Sequence, residues 1–367
     1  MRGIRPRQPI QILTRTYLRI QPPPRLDRLA TAFMSSLRED SIPHELRTAA
    51  EPRQNRLYPV RLAHVEQVNR SIRLLQFAIP RQELEINGDE QQPFSFLPGQ
   101  WLDVHIPSIP NAGGFTITST PADAQILPPL QDPEAAIVDE SVTPSPAFEG
   151  REPYVELAVQ DSPGNPAAAW LWKPKEEILG KGVNIRVGGS FVWPPNGLNA
   201  KDVKNVVLIA GGVGINPLIS ILSHLNVIQN AHPLNIHFLY SSRVPQNKDT
   251  KSTDFILDQI LFLPRLRQII RSQGSSSRLH LSLSLFLTNA SEAGFSLESP
   301  ADLTIYPRRI QDEDLRLAIE GHKGELDPQE TVAYVCGPPA MTDQLVEQMQ
   351  KILGEGGSQR VFFEKWW

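Results

Sequence analysis

The chain has 367 residues, with 36 Lys plus Arg against 40 Asp plus Glu and a formal net charge of -4. That length suits about two domains, and the charge balance offers no basic field for a polyanion, which argues against nucleic acid as the main partner. One cysteine excludes an intramolecular disulfide framework and any all-cysteine metal site.

The first 26 residues carry Arg2, Arg5, Arg7, Arg15, Arg19 and Arg25, with no acid before Asp27. Arg-rich, acid-poor leaders suit mitochondrial import; a disordered basic tail has the same composition. Pro22-Pro23-Pro24 stops any helix. A linker with one short helical stretch around Leu29 to Leu37 is expected up to about Asn55.

From Leu57 to Val192 short β-type runs alternate with turn residues: Val60 to Val65, Ile72 to Ile79, Trp101 to Ile106, Phe115 to Ile117, Tyr154 to Val159 and Val183 to Val187. Their punctuation by Gly and Pro predicts a small antiparallel barrel or sandwich. The acidic, proline-rich stretch 121–153 is expected to be an exposed insertion. It takes a share of the 34 prolines, about 9% of the chain against a usual ~5%.

Beyond Asn205 strand and helix alternate. Strands are predicted at Val206 to Ala210, Ile236 to Tyr240, Leu279 to Phe286, Thr331 to Cys336 and Arg360 to Phe363. Helices are predicted at Pro217 to Ile228, Thr253 to Leu261, Asp312 to Ala318 and Ala340 to Leu353. Repeated βα units predict a doubly wound parallel sheet. The expected organisation is a basic leader and linker over 1–55, an antiparallel β-barrel domain over 56–200 and an α/β nucleotide-binding domain over 201–367. The longest nearly unbroken apolar run, Val206 to Ile215, is about half of the ~20 residues that span a bilayer, so no transmembrane segment is expected.

Two tracts carry the chemistry. In VVLIAGGVGINPL, a buried strand enters Gly211, Gly212 and Gly214, and a helix follows near Pro217. Glycines let the backbone approach a ligand, and the helix start directs free N–H groups and the positive dipole end at an anion such as a pyrophosphate. A purely steric strand-to-helix corner also needs glycine. In YVCGPPAM, Cys336, Gly337 and Pro338 stand between a second predicted strand and its helix. In open parallel sheets ligands bind outside the carboxyl ends of strands, so both tracts should face one crevice. The alternative for Cys336 is a small buried hydrophobe.

These motifs, in this order, resemble the ferredoxin-NADP reductase and cytochrome b5 reductase family, and within it the mitochondrial oxidoreductase NAD-binding-domain-containing group. The likeness covers about Leu57 to Trp367 and includes the PGQW tract at Pro98 to Trp101, the GGF tract at Gly113 to Phe115 and the Trp-Trp end. It implies a flavin-binding barrel, a nicotinamide-nucleotide domain and hydride transfer from NAD(P)H to FAD between them. GGVGINP resembles the family's pyrophosphate loop, and CGPPAM the signature whose cysteine lies beside the nicotinamide. Gly113-Gly114-Phe115-Thr116 is similar to a motif in which an arginine neutralises the flavin phosphate, an aromatic packs on the isoalloxazine and a hydroxyl bonds its ring. Here Gly113 replaces the arginine, Phe115 keeps the ring and Thr116 keeps the hydroxyl. Gly164, Asn165 and Ala167, before an alanine-rich helix, resemble a second flavin-phosphate tract; an ordinary helix start reads the same way. The resemblance makes Cys336 and Thr116 the candidate catalytic residues and lets the final Trp367 cover the flavin; Trp366 and Trp367 also suit a simple anchor for the chain end.

Ser242 and Arg243 follow the second strand of the α/β domain with no acid before Asp249. A carboxylate there accepts the ribose hydroxyls of NAD, whereas arginine meets a 2′-phosphate, so the sequence leans toward NADPH; Lys248 is a second candidate. His232 and His237 lie five apart across Pro233, without metal spacing, and no metal is expected. The reading is a flavin-dependent NAD(P)H oxidoreductase passing electrons to an unidentified acceptor. Its rival is an NAD(P)-binding sensor or assembly protein that has lost flavin.

Overall fold

The computed structural model describes residues 43–81, 93–126, 152–228, 232–245, 253–274, 277–290, 300 and 303–365. The basic leader, most of the acidic insertion, Lys248, Trp366 and Trp367 lie outside the described residues. All described residues belong to a single compact unit.

Among the described residues, six antiparallel strands form the first lobe: β1 (Tyr58–Asn69), β2 (Ile72–Ala78), β3 (Trp101–His105), β4 (Gly113–Thr116), β5 (Tyr154–Gln160) and β6 (Gly182–Gly188). Their order is β4-β3-β6-β1-β2-β5, and a bridge from Ile117 to Leu157 ties the two outermost strands into a barrel. The start of β1 shows how sequence builds it: Tyr58, Val60 and Leu62 are buried while Pro59 and Arg61 are exposed, because successive side chains point to opposite faces. The interior holds Leu62, Leu75, Phe77, Leu102, Leu157 and Ile185. Helices α2 (Pro166–Leu171) and α3 (Lys175–Ile178) lie between β5 and β6.

Residues 43–55, expected as the end of a linker, pack on the barrel. Helix α1 (His44–Arg47) seats His44 on the outer face of the barrel, where its ring meets Trp101 edge-on with centroids 4.6 Å apart. Gln54 N–H donates to the Val187 carbonyl at 2.9 Å. Four helical residues leave no 3.6-residue periodicity to read, which is why this packing is silent in the sequence.

Among the described residues, six strands form the second lobe: β7 (Asn205–Gly211), β8 (Leu234–Ser242), β9 (Leu279–Leu287), β10 (Thr304–Tyr306), β11 (Thr331–Gly337) and β12 (Val361–Lys365). All pairings are parallel, in the order β10-β9-β8-β7-β11-β12. Helices α4 (Ile215–Val227), α5 (Thr253–Asp258) and α6 (Leu263–Arg271) cover one face. Helices α7 (Asp312–Glu320) and α8 (Pro339–Leu353) cover the other; a one-turn helix, α9 (Gly357–Arg360), precedes β12. Every residue of β7 and of β11 is buried, the consequence of near-continuous apolar runs covered on both sides. Strand order reverses between β7 and β11, which sets the ligand crevice of such sheets at their carboxyl ends. The single helix expected over Thr253 to Leu261 is instead α5 followed by α6, whose Pro264 lies in the first turn, where its missing N–H costs nothing. Arg360, expected in the last strand, ends α9.

The lobes interlock. On α4, Asn216 donates to the Ala158 carbonyl at 3.0 Å and Ser220 to the Ser119 carbonyl at 2.7 Å. Arg265 of α6 meets the buried Glu156 carboxylate at 2.9 Å. Tyr334 of β11 donates to the Val192 carbonyl at 2.8 Å.

Candidate nucleotide site

The glycine corner and the cysteine loop lie against each other. Ala210 is the register partner of Cys336, so β7 and β11 deliver their carboxyl ends side by side. A Cβ on Gly214 would stand 2.2 Å from the Cys336 carbonyl oxygen and 2.7 Å from the Gly337 nitrogen. One on Gly211 would stand 2.8 Å from Cδ of Pro338. These two glycines therefore serve loop-on-loop packing. Gly212 differs: its φ is +55° and no atom of the described residues lies within 4 Å of where its Cβ would be, so it combines a left-handed conformation with an open approach. Pro217 is in the first turn of α4 and buried.

Gly212 opens onto a cavity of about 300 Å³ built by both lobes. The α/β lobe contributes Val213, Tyr240, Ser242 and Arg243; the barrel contributes the hairpin Asn69 to Ile72 and Gln160. Tyr240 is buried, its hydroxyl 3.5 Å from the Gly212 carbonyl, and burial pushes its pKa up, so it stays a neutral donor. Ser242 and Arg243 are thus brought to the same cavity as Gly212. Gly211, Gly214, Pro217, Cys336, Gly337 and Pro338 are not on its wall.

Cys336 is fully buried on the sheet face shared with Tyr334 and Ala210. Its register partner on β12 is Glu364, a residue the sequence reading passed over. Burial, and then the charge of Glu51, pushes the Glu364 pKa up to about 8, so a proton is held at the carboxyl near neutral pH. Its Oε2 is buried without a hydrogen-bond partner. An acid inside the apolar tract FFEKWW was the available signal.

The flavin contacts implied by the resemblance divide. Phe115 pairs in register with Leu102 and belongs, with it and Ala167, to the buried cluster of the barrel, leaving 8% of the residue exposed. On the other face of β4, the His44 ring occupies the place of a Gly114 Cβ. Thr116 is 1% exposed, and its Oγ1 is buried with no partner, which fits a hydroxyl kept for a ring. The phosphate end does not fit. A Cβ on Gly113 would stand 2.4 Å from Cβ of Ala167, so α2 packs directly on the position of the family's arginine. The N–H groups of Ala167 and Ala168 donate to Asn165 Oδ1 at 3.1 and 3.2 Å. Asn165 is therefore a helix cap that consumes the donors expected to bind phosphate. Gly164, exposed, has nothing within 4 Å of its absent Cβ.

Among the described residues, one group has metal-ligating atoms within 4.8 Å of one another: Glu45, Asp103 and His105. Asp103 already receives Arg53 at 3.0 Å, Arg186 at 2.7 Å and His44 at 3.2 Å, and the two guanidinium charges oppose a cation there. Burial alone would raise the Asp103 pKa; hydrogen bonds from His44, Arg186 and Arg53 outweigh it and hold the value at about 2.

An antiparallel barrel docked on a parallel sheet, with the glycine corner at the switch point, defines the two-lobed fold of ferredoxin-NADP reductases and cytochrome b5 reductases. The ferredoxin NADP+ reductase from Neisseria gonorrhoeae, solved with bound FAD and NADP, is similar with a TM-score of 0.52 at 13% identity, over 85% of this chain and 99% of that one. No family model matches. Over 284 residues the chain is 30% identical to oxidoreductase NAD-binding domain-containing protein 1 of Bos taurus, covering 75% of this chain and 72% of that protein. It is 26% identical over 264 residues to the reductase component of propane 2-monooxygenase of Mycolicibacterium smegmatis, covering 71% of this chain and 56% of that protein. The chain belongs to the oxidoreductase NAD-binding domain-containing protein 1 family.

Proposed function

We propose that this protein binds NAD(P)H at the crevice between its lobes and acts as an oxidoreductase that takes hydride from it. One observation carries the reading: Gly212, open and left-handed at the carboxyl end of β7, faces a two-lobed cavity beside the Cys336 loop. The α4 start adds a positive dipole end for the pyrophosphate. Arg243 on the cavity wall, with no carboxylate among the described lining residues, favours NADPH. The buried thiol of Cys336 fixes the loop that would carry the nicotinamide, and Glu364 holds a proton next to it. Trp367 as a cover for the ring belongs to the same proposal.

The hydride acceptor implied by the family is FAD, which supplies two-electron acceptance when bound. Thr116 Oγ1 fits its ring; Gly113, Ala167 and the Asn165 cap do not fit its phosphates. The same misfit favours the second reading, an NAD(P)-binding sensor or assembly protein on this scaffold. Purified protein separates the two. Yellow colour bleached by NADPH or NADH supports the enzyme with flavin; colourless protein that binds nucleotide supports the sensor; protein that binds no nucleotide contradicts both. The proposal also includes mitochondrial import by residues 1–26, tested by locating C-terminally tagged protein with and without them.

A further inference from the structure

Arginines from both lobes line the cavity. Arg243 stands just beyond β8, and Arg70 stands at the turn between β1 and β2 of the barrel. No carboxylate is among the described lining residues, so the charged side chains that the described wall contributes are both basic.

The position of Arg70 is set by its neighbours. Asn69 Oδ1 accepts from the Ser71 N–H at 2.9 Å and from its hydroxyl at 3.1 Å, closing the turn. The amide of Asn69 donates across the lobes to the Gln259 carbonyl at 2.9 Å. The Asp161 N–H donates to the Ser71 carbonyl at 2.8 Å, and Val68 and Ile72 pack on the core of the α/β lobe. The hairpin backbone is thereby fixed against the second lobe before any ligand arrives, which lowers the ordering cost of a contact made there. The ribose of a bound nucleotide lies near the end of the second strand in such sheets, where Ser242 and Arg243 stand.

We propose that Arg70 and Arg243 form a clamp across the two lobes on a phosphomonoester of the adenosine ribose, and that Arg70, from the barrel side, is a specificity-determining residue. The inference rests on the nucleotide-binding reading above. A phosphomonoester carries more charge near neutral pH than a diester and presents three oxygens, so two guanidinium groups distinguish a phosphorylated ribose from a plain one.

Calorimetric titration of the full-length protein with 2′,5′-ADP and with 5′-AMP tests it, on the natural sequence, Arg70→Ala and Arg70→Lys, each with a thermal melt to verify folding. The expected result for Arg70→Ala is a loss of about fivefold in affinity for 2′,5′-ADP with 5′-AMP unchanged, and partial recovery in Arg70→Lys at low salt. An unchanged ratio of the two affinities in Arg70→Ala overturns the clamp. So does equal weakening of both ligands, which would make the hairpin a structural wall. If the natural protein binds neither ligand, the nucleotide reading itself falls and takes the clamp with it; binding of both with an unaltered Arg70→Ala ratio removes the clamp alone.

Discussion

The Cβ that Gly214 lacks would stand 2.2 Å from the carbonyl oxygen of Cys336. Two loops more than a hundred residues apart in sequence are thus packed backbone on backbone, and the crevice depends on that approach. Gly214→Ala should force β7 and β11 apart at their carboxyl ends. The obstacle is main chain and cannot swing aside, so a loss of about 2 kcal/mol or more is expected, read by urea unfolding together with loss of nucleotide affinity. Native stability in Gly214→Ala would contradict the packing described here.

Gly212→Val should behave in the opposite way. Its Cβ enters open space, and the left-handed φ of +55° costs about 1 to 3 kcal/mol in a non-glycine residue. The circular dichroism spectrum should stay that of a folded protein while NADPH binding falls below detection. Affinity equal to that of the natural protein would remove Gly212 from the site.

Asp103 predicts an acid sensitivity. Its folded pKa, about 2, lies below the usual 3.8, so the unfolded state binds the proton more readily. The stabilisation is complete above about pH 4 and is lost as pH falls toward 2. A shift of that size corresponds to about 2 kcal/mol. Asp103→Asn should raise the pH at which the protein unfolds in acid and lower its melting temperature at neutral pH, with His44, Arg53 and Arg186 left without their common partner. An unchanged acid-unfolding curve would show that the cluster contributes nothing.

Glu364 has the reverse sign. With a folded pKa of about 8 against an ordinary 4.5, the folded state holds the proton more tightly. Its contribution is fully present below about pH 4.5 and is lost as pH rises through 8. Glu364→Gln keeps a neutral side chain at every pH, so its melting temperature relative to the natural protein should climb between pH 5 and 9. Parallel curves for the two proteins would mean that Glu364 is ionised throughout.

Much of this architecture is legible in the sequence, for identifiable reasons. The run from Val206 to Ala210 has no polar alternation, and such runs form central parallel strands. Gly211 to Gly214 and Cys336 to Pro338 then mark the carboxyl ends of two strands. Their adjacency follows from the switch in strand order, which sequence suggests through repeated βα units. Phe115 was harder: an aromatic in a short strand reads equally well on either face, and only the pairing with Leu102 turns it inward. Asn165 before Pro166 is a standard helix-start signal, yet whether its side chain caps the helix or leaves the N–H groups to a ligand is decided by a rotamer that no spacing records. Arg70 gives no local sign of function, because it meets the cavity only after the barrel hairpin docks on a lobe built from residues far along the chain. His44, on a single helical turn, is silent for a similar reason: its role comes from packing on Gly114 and Asp103.

The claim on which the account depends is that one nicotinamide dinucleotide lies between Gly212, the β1–β2 hairpin and the end of β8. Amide hydrogen exchange of the purified protein, with and without saturating NADPH, tests it most directly. Slowed exchange confined to residues 211–216, 69–72 and 240–245 is the expected pattern. Exchange in those three segments that is unaltered by NADPH would contradict the account.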